Sequence, residues 1–272
     1  MTGAPHPDTD ASALFRAGRL HDAVEVQTTL VRRHPGDVAA RLLLAELLCF
    51  TGALERADAL LDLIGHQDPS QALGLAPFRQ ALRGETARRQ HHGEGRLPGF
   101  PVPPTPSMRH LLEAGVELRR GALPEAAAAA SAAEAARPAA RGSADGAAFD
   151  DFRDLDDLCG GTLEAITGAG EFVWIPVEAI RRIAFRPPRS LRDLCWRRAQ
   201  VSLVDGEEGE VFLPVLYAGE RPDDEALAIG HRSDWRELAP GLVRGVGQRC
   251  FLAGEEVRPI MSLSEVAFGG GT

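Results

Sequence analysis

The chain has 272 residues, a net charge of −9, and 44% hydrophobic against 25% charged residues, the profile of an ordered globular protein with room for one large domain or two small ones. It contains neither Lys nor Asn, which removes the Walker A loop, lysine Schiff bases, kinase-type phosphoryl transfer, the Cys-His-Asn triad and N-glycosylation. The acidic balance opposes nonspecific nucleic-acid binding, and no apolar run reaches the ~18 residues of a membrane span.

Residues 1–12 read as a flexible N-terminus. Met1 to Asp10 is polar and lacks the basic start and apolar core of a secretory signal. A repeat then begins. Gly18-x-Leu20-x-x-Ala23 recurs as Gly52-x-Leu54-x-x-Ala57 and as Gly121-x-Leu123-x-x-Ala126. The first two glycines are 34 residues apart and the third is 69 further on, close to twice that period. Pro35, Pro69 and Pro138 each follow their glycine by 17 residues. This is the pattern of tetratricopeptide-type helix pairs: Gly allows the tight turn, Ala allows close helix approach, and Pro ends the unit. Arg41–Phe50 is apolar on most faces and predicts a central buried helix, whereas Leu54–Ile64 is amphipathic. The unit due near 84–104 is degenerate and gives way to a loop, 93–106, with three Gly and five Pro. Helices return at Met108–Arg120 and Leu123–Arg137.

The helical domain is thus expected over 13–138, a linker over 139–148, a mainly-β domain over 149–268 and a frayed tail over 269–272. Strands are predicted at Thr162–Thr167, Phe172–Ile175, Ile183–Phe185, Val246–Leu252 and Val257–Met261. Val201–Val204 and Val211–Tyr217 form a hairpin around an acidic, Gly-containing loop. The fold class is α+β: an N-terminal TPR-like helical repeat domain followed by a smaller mainly-β C-terminal domain, built as a bent sheet or a small barrel.

Few residues invite chemistry. Asp150, Asp151, Asp154, Asp156 and Asp157 read as a helix start rather than a metal site. His91-His92 reads as a pair of solvent-exposed imidazoles near a loop. Gly245-Val246-Gly247-Gln248-Arg249 lacks the third glycine of a dinucleotide loop and precedes a strand. It is a bend that presents Gln248 and Arg249, either to a surface or, for Arg249, to a carboxylate inside. Cys49, Cys159, Cys195 and Cys250 are far apart, which fits buried thiols in a reduced, cytosolic protein. No catalytic, metal or cofactor site is predicted.

An ordered set of motifs resembles a known family. In the helical half these are Gly18–Leu30, His34-Pro35-Gly36-Asp37, Arg41–Phe50 and Gly52–Ile64. In the β half they are Leu163–Ile166, Phe172–Pro176, Ile180–Ile183, Pro187–Trp196, Leu213-Pro214 with Tyr217, Asp234–Leu238, and Gly245-x-Gly247-Gln248-Arg249. Together they resemble the ImpE family, also called TagJ or SciE-like, accessory proteins of bacterial type VI secretion. Phe152 stands where relatives often carry Trp, and Phe172-Val173-Trp174 replaces a Tyr-Tyr-Trp-like strand. The resemblance implies a cytoplasmic, non-enzymatic adaptor without cofactors, binding the N-terminal helix of the small contractile-sheath subunit, TssB. A TPR-like scaffold for another complex is the alternative, followed by a hydrolase using Asp154 or Asp157 with a His. Trp174, Trp196, Trp235, Gln248 and Arg249 are the candidate protein-contact residues, since Arg and aromatics are favoured interface anchors.

Overall fold

The computed structural model describes residues 10–269. Most of the expected flexible N-terminus, 1–12, and of the expected tail, 269–272, lies outside the described residues. The helical half comprises α1 (Ala11–Arg16), α2 (Leu20–Arg33), α3 (Val38–Phe50), α4 (Leu54–Gln67), α5 (Ala72–Glu94), α6 (Pro106–Arg119) and α7 (Leu123–Ala136).

The repeat is the same turn built three times. Gly18, Gly52 and Gly121 sit at φ of 82°, 78° and 76°, in the left-handed region that favours glycine. Each glycine N–H donates three residues back, to Phe15, Cys49 and Leu118. The next N–H donates five residues back, from Arg19 to Leu14, Ala53 to Leu48 and Ala122 to Glu117. That pair of bonds closes a helix end and satisfies its last carbonyls. The second helix of each pair then presents Ala23, Ala57 or Ala126, each 0% exposed. As expected, α3 is the central helix, with Leu44 to Phe50 all buried.

Where the degenerate unit is expected to give way to a loop over 93–106, the chain is helical for the 23 residues of α5, with Pro77 inside, and stops at Gly95 in the left-handed conformation. The proline-rich segment that follows runs beside the edge of the β sheet. Gly99 N–H donates to Phe172 O at 2.9 Å, and Trp174 N–H donates to Gly99 O at 3.0 Å.

The second half is an open, antiparallel eight-stranded sheet, not a closed barrel. Its strands are β1 (Gly142–Ala144), β2 (Ala147–Phe149), β4 (Thr162–Thr167), β5 (Phe172–Pro176), β6 (Ile180–Phe185), β7 (Trp196–Leu203), β8 (Glu208–Pro214) and β13 (Glu265–Phe268), in the order β2-β1-β13-β6-β7-β8-β4-β5. A three-stranded sheet joins β3 (Phe152–Asp154), β11 (Cys250–Ala253) and β12 (Glu256–Pro259), while β9 (Ser233–Ala239) and β10 (Leu242–Gly247) form a separate hairpin. The one-turn helix α8 (Glu225–Ala228) precedes β9. Within the expected linker 139–148, residues 142–148 form with Phe149 a hairpin at one sheet edge, and β1 pairs with β13 at the far end of the described chain. Small residues gave no strand signal there, and the pairing comes from a partner more than a hundred residues away. The acidic run 150–157 is likewise not a helix start but β3 followed by a turn.

The two halves share a core. One apolar cluster contains Phe15, Leu48, Phe50 and Phe78 together with Ile166, Trp196 and Ile229 of the β half. A second lies within the β half, around Leu163, Ala165, Val201 and Val266. Strand β4 separates them by simple alternation: Ile166 faces the helical cluster, Leu163 and Ala165 the sheet cluster. Glu225 adds a polar tie, accepting from the Leu20 N–H at the start of α2.

Candidate functional site at the domain junction

Helix α5 meets strand β4 at unusually short range because of Gly84. A Cβ on Gly84 would lie 2.2 Å from Ile166 Cγ2, so only glycine fits. Beginning at the next residue, Glu85, Arg88, Arg89 and His92 share a face at i, i+3, i+4 and i+7. On β4, Glu164 is two residues from Ile166 and so points to the same side.

Glu164 is 0% exposed and collects three donors. Arg88 Nε donates to Oε2 at 2.8 Å, Arg249 donates through Nη2, and His92 Nε2 donates to Oε1 at 2.8 Å. Burial alone would push this carboxyl up. The guanidiniums of Arg88 and Arg249, with His92, overcome that and hold it well below the usual carboxylate range. Arg88 also donates to Leu216 O at 3.1 Å and pairs with Glu85 at 3.4 Å. Glu85 in turn accepts from Trp196 Nε1 at 3.1 Å and from Arg89 Nε at 3.2 Å.

A second carboxylate lies behind. Asp154 pairs with Arg249 Nε at 3.4 Å and accepts from the Tyr217 hydroxyl at 3.0 Å. Here burial wins, and the Asp154 carboxyl is pushed up to about 6. Asp156 is clamped by Arg244 Nε at 2.8 Å and by the Gly245 N–H at 3.1 Å. Asp157 accepts from Arg153 at 2.7 Å and from the Val243 N–H. Among the described residues no three His, Cys, Asp or Glu side chains converge as a cation cage. Arg88 and His92 answer Glu164 across the junction, and the aspartates are paired within the β half.

The predicted contact residues divide by burial. Trp174, Trp196 and Arg249 are 1%, 3% and 1% exposed, so they are corrected from surface anchors to core. Trp174 packs edge-on against His91 at 4.8 Å, Trp196 bonds Glu85, and Arg249 takes the inward alternative, pairing with two carboxylates. Gln248 is half-buried and donates to Gly230 O. Only Trp235, on β9, is exposed, at 40%. The expectation of solvent-exposed histidines also fails: His91 is buried and bonds Arg96 O at 2.7 Å, because α5 continues through both residues and lays them on the sheet.

Sequence reading missed Glu164, although a signal existed. Thr162-Leu163-Glu164-Ala165-Ile166 is an apolar strand with one acid in the middle, and such an acid requires an internal partner. Arg221 carried no signal, standing in a polar loop. With Arg89 it borders a cleft of about 370 Å³ between the halves, whose walls include Thr51, Gly52, Leu216 and Pro222. Neither Asp154 nor Asp157, the acids of the hydrolase alternative, lines that cleft.

Comparison with known proteins agrees with this architecture. Residues 146–267 match the model of the ImpE protein family, and residues 14–76 match a tetratricopeptide repeat model. The chain is 31% identical over 260 residues to the type VI secretion system accessory component TagJ of Pseudomonas aeruginosa, covering 95% of this chain and 90% of that protein. The crystal structure of protein VPA1032 from Vibrio parahaemolyticus superposes with a TM-score of 0.90 at 24% identity, over 96% of this chain and 98% of that one. At that identity the likeness is one of fold.

Proposed function

The chain belongs to the ImpE family of type VI secretion accessory components, and from that premise we propose that it is a cytoplasmic, non-catalytic adaptor binding the N-terminal helix of the sheath subunit TssB. The observation that carries the reading is the 31% identity to TagJ along nearly the whole chain, both halves included. Physical features support it. Repeated helix pairs make surfaces suited to peptides and helices. Most ionisable groups at the junction, Glu85, Arg88, Glu164 and Arg249 among them, are paired with one another, as suits a rigid scaffold. The sheath helix itself comes from the family resemblance.

The test is co-purification of this chain with TssB from the same organism, full-length against a form lacking the N-terminal helix. Binding that disappears with the helix supports the adaptor. No binding of either form at tens of micromolar overturns the sheath assignment and leaves a repeat scaffold serving another complex.

A further inference from the structure

One arginine at the mouth of the junction cleft has no carboxylate partner among the described residues. Glu85, Glu164 and Asp154 are matched by Arg88, Arg89 and Arg249. Arg221, from the loop after β8, is left over. Among the described residues it makes no hydrogen bond or ion pair, and it faces Arg89 instead. Arg221 and Arg89 come from opposite halves of the protein and converge on the Gly52 turn. Each places an Nη1 3.2 Å from where a Cβ on Gly52 would sit. Arg89 is anchored there, donating to Gly52 O at 2.8 Å. Two guanidiniums brought together without an intervening anion repel, and Arg221 is exposed at the mouth of the cleft, where an anion can reach it.

Both groups open onto the junction cleft. Its volume of about 370 Å³ is too small for a helix and ample for one or two side chains. Beside the guanidiniums, half-buried Leu216, Ala218 and Pro222 supply an apolar wall.

We propose that this cleft receives an acidic side chain of a protein partner, its carboxylate held between Arg221 and Arg89 and its aliphatic stem against the apolar wall. A carboxylate matches the planar guanidinium fork and can pair with both arginines. A bare small anion would leave the apolar wall uncovered. The inference rests on the reading of the chain as a protein-binding adaptor, and it names the chemistry at one point of that contact.

The first experiment follows arginine Nε–Hε resonances of the 15N-labelled full chain during titration with N-acetyl-glutamate N-methylamide. The resonances that vanish in Arg221→Gln and Arg89→Gln are expected to shift saturably, and the isosteric glutamine compound is expected to leave them in place. No shift overturns the proposal. Inorganic phosphate binding as tightly as the glutamate compound also overturns it, in favour of a site for free anions. The second experiment measures TssB affinity. Arg221→Gln is expected to weaken it about tenfold with an unchanged melting temperature, because Arg221 has no internal partner to lose. Arg79→Gln, on the α4–α5 face, is expected to leave affinity unchanged. Wild-type chain that binds glutamate but not TssB refutes the sheath reading alone. TssB binding that is indifferent to Arg221→Gln refutes the cleft alone.

Discussion

Arg88 of α5 donates to Glu164 of β4 at 2.8 Å, and their side chains are 2% and 0% exposed. This pair crosses the boundary between the two halves and makes their separation electrostatically costly. A buried pair of this kind adds little net stability when intact, because desolvation offsets most of the attraction. Its loss is another matter. Glu164→Ala leaves Arg88 and Arg249 facing each other in the interior and is expected to cost about 3–5 kcal/mol, read from the urea midpoint. Since an apolar core also spans the boundary, wild-type unfolding is expected as one transition by both fluorescence and circular dichroism. A loss well below 1 kcal/mol would mean that water reaches the junction.

Gly84 tests the contact from the other side. Alanine is the better helix former, so Gly74→Ala and Gly93→Ala, which meet nothing within 4 Å, should be neutral or stabilise by up to about 1 kcal/mol. Gly84→Ala is expected to destabilise by about 1–3 kcal/mol because its Cβ would collide with Ile166. Equal effects at all three positions would contradict the close approach of α5 to β4.

His91 predicts an acid-sensitive component of stability. Burial and the neighbouring His92 charge hold it at about 4, against an ordinary 6.5, while Arg96 O, Glu164 and Arg119 are the other polar groups that bear on it. A depressed folded value means that the contribution is complete above pH 6.5 and is lost as pH falls through 4. Asp154 works the other way: raised to about 6 from 3.8, its contribution is present below pH 3.8 and is lost as pH rises through 6. Comparing urea midpoints of wild type and His91→Leu across this range isolates the histidine, and the wild-type excess should shrink on acidification.

The four thiols should be silent in the native state. Cys49, Cys159, Cys195 and Cys250 are free and buried, and burial raises all four above the usual thiol range, away from the reactive thiolate. A colorimetric disulfide reagent is expected to modify none of them before unfolding and all four in denaturant.

Trp235 is the one predicted anchor that lies on the exposed surface. Trp235→Ala should change stability by less than about 0.5 kcal/mol, whereas Trp174→Ala should cost about 3–5 kcal/mol. If Trp235 contacts the partner, TssB affinity falls in Trp235→Ala with the melting temperature unchanged. Unaltered affinity would remove it from the interface.

Local pattern carried much of the architecture. The Gly-x-Leu-x-x-Ala repeat located three turns of one geometry, since the left-handed glycine and the buried alanine are demands of short-range sterics. β4 and the β7–β8 hairpin were legible from apolar runs and an acidic turn. Residues 142–149, β9 and the second half of α5 were not. Their form depends on pairing and packing with distant segments: β13 for the hairpin, β10 for β9, the sheet for His91 and His92. The contact residues failed for a related reason. Arg and Trp are favoured both at interfaces and in buried networks, and composition does not separate the two. The amino-acid sequence by itself determined the repeat, the α+β division and the family, because these follow from periodicity and from motifs in order. Only the tertiary structure decided which charges meet. Arg88, Glu164 and Arg249 are far apart along the chain; the return of β11 brings Arg249 to Glu164, and the approach of α5 to β4 adds Arg88 to the same carboxylate and leaves Arg221 at the mouth of the cleft.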